Sequence, residues 1–161
     1  MKTLKIVYIL LLCLGGSIST LSQSQDANNR FRLAQSYEQG GDFENAVKLY
    51  KELLAADRSN FMYFDALRRS LLQLKRYDEA IGMIVQRLSS TPKEINLLSS
   101  LASAQYQAGK EKDASASWEQ AIAVEPANSN IYRLVANSLL ENRLLEKAID
   151  LYRRARTECN D

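Results

Sequence analysis

Residues 101–121 read LASAQYQAGKEKDASASWEQA, and the reading of this stretch decides the fold. Leu98, Leu101 and Ala102 recur at the step of one helix face. Gly109 interrupts them, and Ala114, Trp118, Ala121 and Ile122 resume the same step. The stretch is therefore one helix, a short turn and a second helix. The same arrangement appears on either side at a constant interval of thirty-four residues. Ala114 belongs to a column with Ala46, Ala80 and Ala148, and Leu101 to one with Leu33, Leu67 and Val135. Trp118 aligns with Tyr50, Ile84 and Tyr152. Three columns in phase define an internal repeat, which must be recognised before any other reading of the chain.

The repeat divides the chain into four units, at about 27–60, 61–94, 95–128 and 129–161. In the first, Asp26 is expected to cap a helix that carries Leu33, Ala34 and Tyr37. Gly40-Gly41 ends that helix, because glycine accepts the left-handed conformation found just past a helix end. Asp42 then introduces Phe43, Ala46, Val47, Tyr50 and Leu53. The second unit carries Phe64, Leu67 and Leu71, then Tyr77, Ala80, Ile81, Ile84 and Leu88, with Lys75-Arg76 and no glycine between them. Thr91-Pro92-Lys93-Glu94 has the spacing of a capping box and is expected to open the third unit. The fourth unit places Tyr132, Val135, Ala136 and Leu139 inward on one helix. Leu144, Leu145, Ala148, Ile149, Tyr152 and Ala155 are expected to face inward on the next.

The first residues read differently. Lys2 and Lys5 precede the apolar run Ile6–Leu14, and Ser17-Ile18-Ser19 supplies small residues after Gly15-Gly16. This is the three-part pattern of a secretory signal peptide over residues 1–19, with a polar linker at 20–26. The run is shorter than the roughly 20 apolar residues needed to span a bilayer. The expected location is therefore outside the cytoplasm, periplasmic or secreted. An uncleaved, anchoring segment is the alternative.

Composition narrows the chemistry. The chain has 161 residues, 46% of them hydrophobic and 25% charged, which suits a folded domain. Net charge is +2, and Lys2 and Lys5 account for that excess, so the remainder is near neutral. A nucleic-acid-binding surface, which needs a basic patch, is not expected. No histidine is present, which removes the commonest general base and zinc ligand. Cys13 and Cys159 are the two cysteines, and loss of a signal peptide leaves Cys159 without an intrachain partner. Gly40-Gly41 reads as a helix cap and not as a phosphate loop. Asp78-Glu79 and Glu111 with Asp113 lie at helix starts, where carboxylates complement the helix dipole. No catalytic residue, metal site or cofactor is expected, and the chain does not read as an enzyme.

With Leu101-Ala102, Gly109, Ala114, Trp118, Ala121 and Pro126 in the third unit, the chain resembles the tetratricopeptide-repeat family. Leu33-Ala34, Tyr37, Gly41, Ala46 and Tyr50 carry the same pattern in the first unit. Arg68, Arg87 and Glu111 depart from it. The resemblance implies an all-α, right-handed α-solenoid of four helix–turn–helix repeats. It also implies that the first helix of each pair lines a concave inner face. On that face it would place Gln35, Asp65, Arg69, Leu72, Asn96, Ser103, Tyr106, Arg133, Asn137 and Leu140 as the partner-binding residues. The implied function is a non-catalytic protein-interaction scaffold or adaptor holding a peptide or partner domain. The alternative is the targeting module of a larger enzyme or secretion machine. The apolar residues of the last helix add an expectation of self-association through the C-terminal repeat.

Overall fold

The computed structural model describes residues 25–159, and every regular element among them is an α-helix. Residues 25–39 are helical (α1), followed by α2 (Phe43–Ala56), α3 (Phe61–Gln73) and α4 (Tyr77–Leu88). Then come α5 (Ile95–Gln107), α6 (Glu111–Ala123), α7 (Ser129–Glu141) and α8 (Leu145–Glu158). The leading helices of successive pairs, α3, α5 and α7, start at Phe61, Ile95 and Ser129, which keeps the thirty-four-residue step. The signal peptide expected at 1–19 lies outside the described residues. The chain forms two compact units that divide after Ser70, within α3.

In the first unit, Phe31 on α1 stacks against Tyr50 on α2 and Tyr63 on α3, with ring centroids 5.7 and 5.2 Å apart. Ala34, Ala46, Val47, Tyr50, Leu53, Phe64 and Leu67 are buried around these rings. In the second unit, α5 packs against α4, α6 and α7, and α7 packs against α6 and α8. Ala80, Ile84, Leu98, Ala102, Ala114, Trp118, Ala121, Tyr132, Val135 and Ala148 form its core. The alanines leave room for neighbouring backbones to approach, and the large residue four positions on fills the space beside them. Trp118 shows the arrangement most fully. Its ring lies 6.1 Å from that of Tyr106 on α5, and its Nε1–H donates to Ser138 Oγ on α7 at 3.0 Å.

The four turns inside the helix pairs share one backbone device. Gly41 and Gly109 have φ of +79° and +77°, and Lys75 and Arg143 have φ of 58° and 61° at the matching positions of the other two units. At each turn the left-handed residue donates to the carbonyl three residues back, as in Gly109 N–H to Tyr106 at 2.9 Å. The next residue donates to the carbonyl five back, as in Lys110 N–H to Gln105 at 2.9 Å. This is the double-bonded Schellman termination, and it satisfies carbonyls that a helix end otherwise leaves open. The turn that lacked glycine in the sequence, Lys75-Arg76, therefore has the same geometry as the others.

Four expectations need correction. Asp26 is not a cap, because the helix already includes residue 25. Thr91-Pro92 lies in the preceding turn; the cap of α5 is Glu94, whose carboxylate accepts from the Asn96 and Leu97 N–H groups. Leu33 is 48% exposed although Leu67, Leu101 and Val135 in its column are buried. On α8, Leu145, Ile149 and Tyr152 are 56%, 42% and 41% exposed and do not face inward as a set; Ala148 and Leu151 do. The cause of the last two is the same. Burial of a column residue requires a neighbouring pair to cover it, and among the described residues no pair precedes α1 or follows α8.

A side chain in the left-handed region costs roughly 1–2 kcal/mol, part of which returns as lower unfolded-state entropy when glycine is absent. Lys75→Gly and Arg143→Gly are therefore expected to raise stability by about 0.5–1 kcal/mol, and Gly109→Ala to lower it by about 1 kcal/mol. Urea unfolding followed by circular dichroism measures all three. Destabilisation by both glycine substitutions would show that the turns are held by their side chains and not by backbone geometry.

Candidate partner-binding surface

The ten residues expected on the inner face fall into two groups. In the first unit, Gln35 is half-buried on α1, and Asp65 and Arg69 lie one turn apart on α3. Arg69 is already engaged. Its guanidinium pairs with Asp65 at 2.5 Å and with Glu38 of α1 at 3.3 Å. Asp65 also holds Arg68 at 2.7 Å, and Tyr50 Oη–H donates to the second oxygen of Glu38 at 2.8 Å. Burial works against the charge of Arg69, but Glu38 and Asp65 outweigh it and raise its pKa. Burial and the Glu38 carboxylate together push the Tyr50 phenol well above its ordinary range. Arg69 thus braces α1 against α3.

In the second unit the same helix faces separate into engaged and available residues. Ser103 Oγ lies 2.8 Å from Ser138 Oγ and accepts from Asn142 Nδ2 at 3.0 Å. Asn142 also donates to the Ser138 carbonyl at 2.8 Å, and Gln107 Nε2 donates to Asn142 Oδ1 at 3.3 Å. With the Trp118 indole, these groups form a polar seam joining α5, α6 and α7. Ser103 and Tyr106 therefore serve the packing between helices. Leu72 is half-buried. Asn96, Arg133, Asn137 and Leu140 remain exposed. The last three are spaced four and three residues apart on α7, so they form one stripe. Among the described residues Arg133 has one side-chain hydrogen bond, a long 3.5 Å contact to Asn130.

The seam was not visible as a site in the sequence. Ser138 and Ser70 occupy one column with Ala104, and that column requires a small buried residue. Serine satisfies the size requirement in both units, but only Ser138 has partners. Ser70 Oγ is buried and makes no hydrogen bond.

A second polar cluster sits at the end of the second unit. Arg154 on α8 grips both oxygens of Glu119 on α6 at 2.7 and 3.0 Å, and donates to Glu158 at 2.8 Å. Its guanidinium carbon lies 5.9 Å from the centre of the Tyr132 ring. Tyr132 Oη–H donates to Glu158 at 2.5 Å. Beside it, Trp118, Ile122, Val135, Leu139 and Leu151 floor a furrow of about 260 Å³ between α6 and α8. No group of three or more metal-ligating side chains exists among the described residues. No helix among them is long and apolar enough to cross a membrane.

Paired helices at a fixed interval, small residues beside large ones, and leading-helix faces rich in polar side chains together define an interaction repeat. The chain carries repeats of the tetratricopeptide type. A tetratricopeptide-repeat family model matches residues 100–161, and the model described as anaphase-promoting complex, cyclosome, subunit 3, of the same repeat type, matches residues 11–87. No curated protein matches the sequence. Among solved structures, MamA MSR-1 is 21% identical, with 81% of this chain aligned to 75% of that one and a TM-score of 0.54. MamA 41-end from Desulfovibrio magneticus RS-1 is 14% identical, with 83% aligned to 75% and a TM-score of 0.56. These likenesses concern the fold. Repeat arrays of this type are scaffolds for protein contacts and typically not catalysts.

The Tyr132–Glu158–Arg154 cluster makes stability depend on pH at both extremes. Hydrogen bonds from Tyr132 and Arg154 hold the Glu158 carboxyl below its ordinary 4.5, so its contribution is present above that value and fades as pH falls through the lowered one. Burial, then the Glu158 hydrogen bond and charge, push the Tyr132 phenol from 10.0 up to about 12. A raised phenol favours the folded state fully below pH 10, and that contribution is lost as pH rises towards 12. Tyr132→Phe is expected to flatten the alkaline fall in melting temperature, and Glu158→Gln the acid fall. Thermal unfolding from pH 3 to 11.5 reads both; wild-type curvature in both variants would remove the cluster from the account.

Proposed function

We propose that the protein is a non-catalytic scaffold, exported from the cytoplasm, that holds an extended peptide or a partner domain on its first-helix faces. The observation that carries this reading is the α7 stripe of Arg133, Asn137 and Leu140. It offers a cation, an amide and an apolar side chain in line, all exposed. An asparagine amide can both donate to and accept from a peptide backbone, and arginine and apolar groups supply anchoring energy. Asn96 on the adjoining α5 extends the polar surface. Arg69 contributes less, because binding through it would first have to break its pairs with Glu38 and Asp65. Export rests on Lys2, Lys5, the Ile6–Leu14 run and the small residues up to Ser19.

Peptides selected from a random displayed library on the immobilised chain provide the probe. Arg133→Ala, Asn137→Ala and Leu140→Ala are each expected to weaken the selected peptide about tenfold, with melting temperature unchanged. Arg69→Ala is expected to lower melting temperature and to affect binding less. Unchanged binding in all three α7 variants would overturn the assignment of the face. N-terminal sequencing of the protein recovered outside expressing cells is expected to begin at Thr20; recovery only inside cells with Met1 retained would overturn export.

A further inference from the structure

We infer that α8 is a self-association surface, and that two copies pair through antiparallel α8 helices about a twofold axis. Leu145, Ile149 and Tyr152 are exposed in steps of four and three residues, and Arg156 follows four further on. That alternation of three and four is the seam of a two-helix coiled coil. The exposure of Tyr152 departs from the rest of its column. Tyr50, Ile84 and Trp118, the counterparts of Tyr152 in the earlier repeats, are all buried. A large apolar set left open at this position is the signature of an interface.

Charge selects both the occupant and its direction. Glu146 flanks the stripe near the start of α8, Arg153 flanks it near the end, and Arg156 closes it. Neither Glu146 nor Arg156 has an ion pair or hydrogen bond among the described residues, and Arg153 has one to Asp150 on its own helix. Two antiparallel copies bring Glu146 of each helix towards the arginines of the other, twice by symmetry. A parallel pair would set arginine against arginine. An antiparallel pairing also lays Leu145, Ile149 and Tyr152 of one copy along the same stripe of its partner, which makes the contact self-complementary. Docking α1 of a second copy here fits less well, because Leu33 on that helix is flanked by exposed Asn29, Arg32 and Ser36.

Sedimentation equilibrium of the full chain is expected to show a monomer–dimer equilibrium of roughly 10–500 µM, suited to a contact smaller than a standard interface. Ile149→Asp should weaken it at least about a hundredfold. Glu146→Arg alone, and Arg153→Glu with Arg156→Glu, should each weaken self-association about tenfold by setting like charges together. A one-to-one mixture of these two charge variants should return to within about twofold of wild type, because every contact across the axis is then opposite in sign. Circular dichroism should show unchanged helix content, since all the altered positions are exposed. Association through residues 1–24 would survive Ile149→Asp. A monomer at about 1 mM, a dimer that persists in Ile149→Asp, or a mixture no tighter than either charge variant alone would overturn the inference.

Discussion

The structure depends on a requirement of fit between helix pairs: a small residue in the second helix, a large one four positions later, and a following helix that closes over the large one. A single antiparallel pair cannot bury both of its faces. Ala114 and Trp118 show how the requirement is met, since Ala114 is fully buried and Trp118 is enclosed with its indole N–H bonded to Ser138 on α7. The indole is amphipathic, so its ring supplies buried area while its one polar group must find an acceptor. Ser138 provides that acceptor and passes the polar contact on to Ser103 and Asn142. Apolar packing and a satisfied polar seam therefore fix the same register.

Most of the helical architecture was legible in the sequence, because side-chain size and spacing are what a repeat preserves. Ala46, Ala80, Ala114 and Ala148 are all buried, as their column required. What was not legible depended on neighbours in space. Leu33 and Tyr152 match their columns in chemistry but have no described pair against them, and no local pattern encodes that. The left-handed turns at Lys75 and Arg143 were hidden because glycine is the usual marker, whereas the Schellman hydrogen bonds enforce the geometry without it. The cap of α5 went to Glu94 because its carboxylate reaches two orphan N–H groups directly.

The candidate face was legible as a set of positions but not as a set of available groups. Arg69 and Arg133 look equivalent as exposed arginines on leading helices. One is held by two carboxylates, and the other has, among the described residues, a single long side-chain hydrogen bond to an amide. Ser103 and Tyr106 lie on the helix expected to face a partner, yet they serve the seam and the Trp118 ring. The distinction arises from contacts thirty or more residues apart in sequence, such as Glu38 with Arg69 and Ser103 with Ser138. Periodicity supplies the position of each residue, whereas availability is set by what lies across the helix boundary.

The central claim is that close approach at the alanine column holds successive pairs together. Thermal unfolding of Ala114→Leu tests it most directly. The side chain there has no space to enter, so overpacking should cost roughly 1–3 kcal/mol and lower the melting temperature in one cooperative transition. A melting curve that superimposes on wild type would mean that the column is not where the helices meet, and would contradict the account.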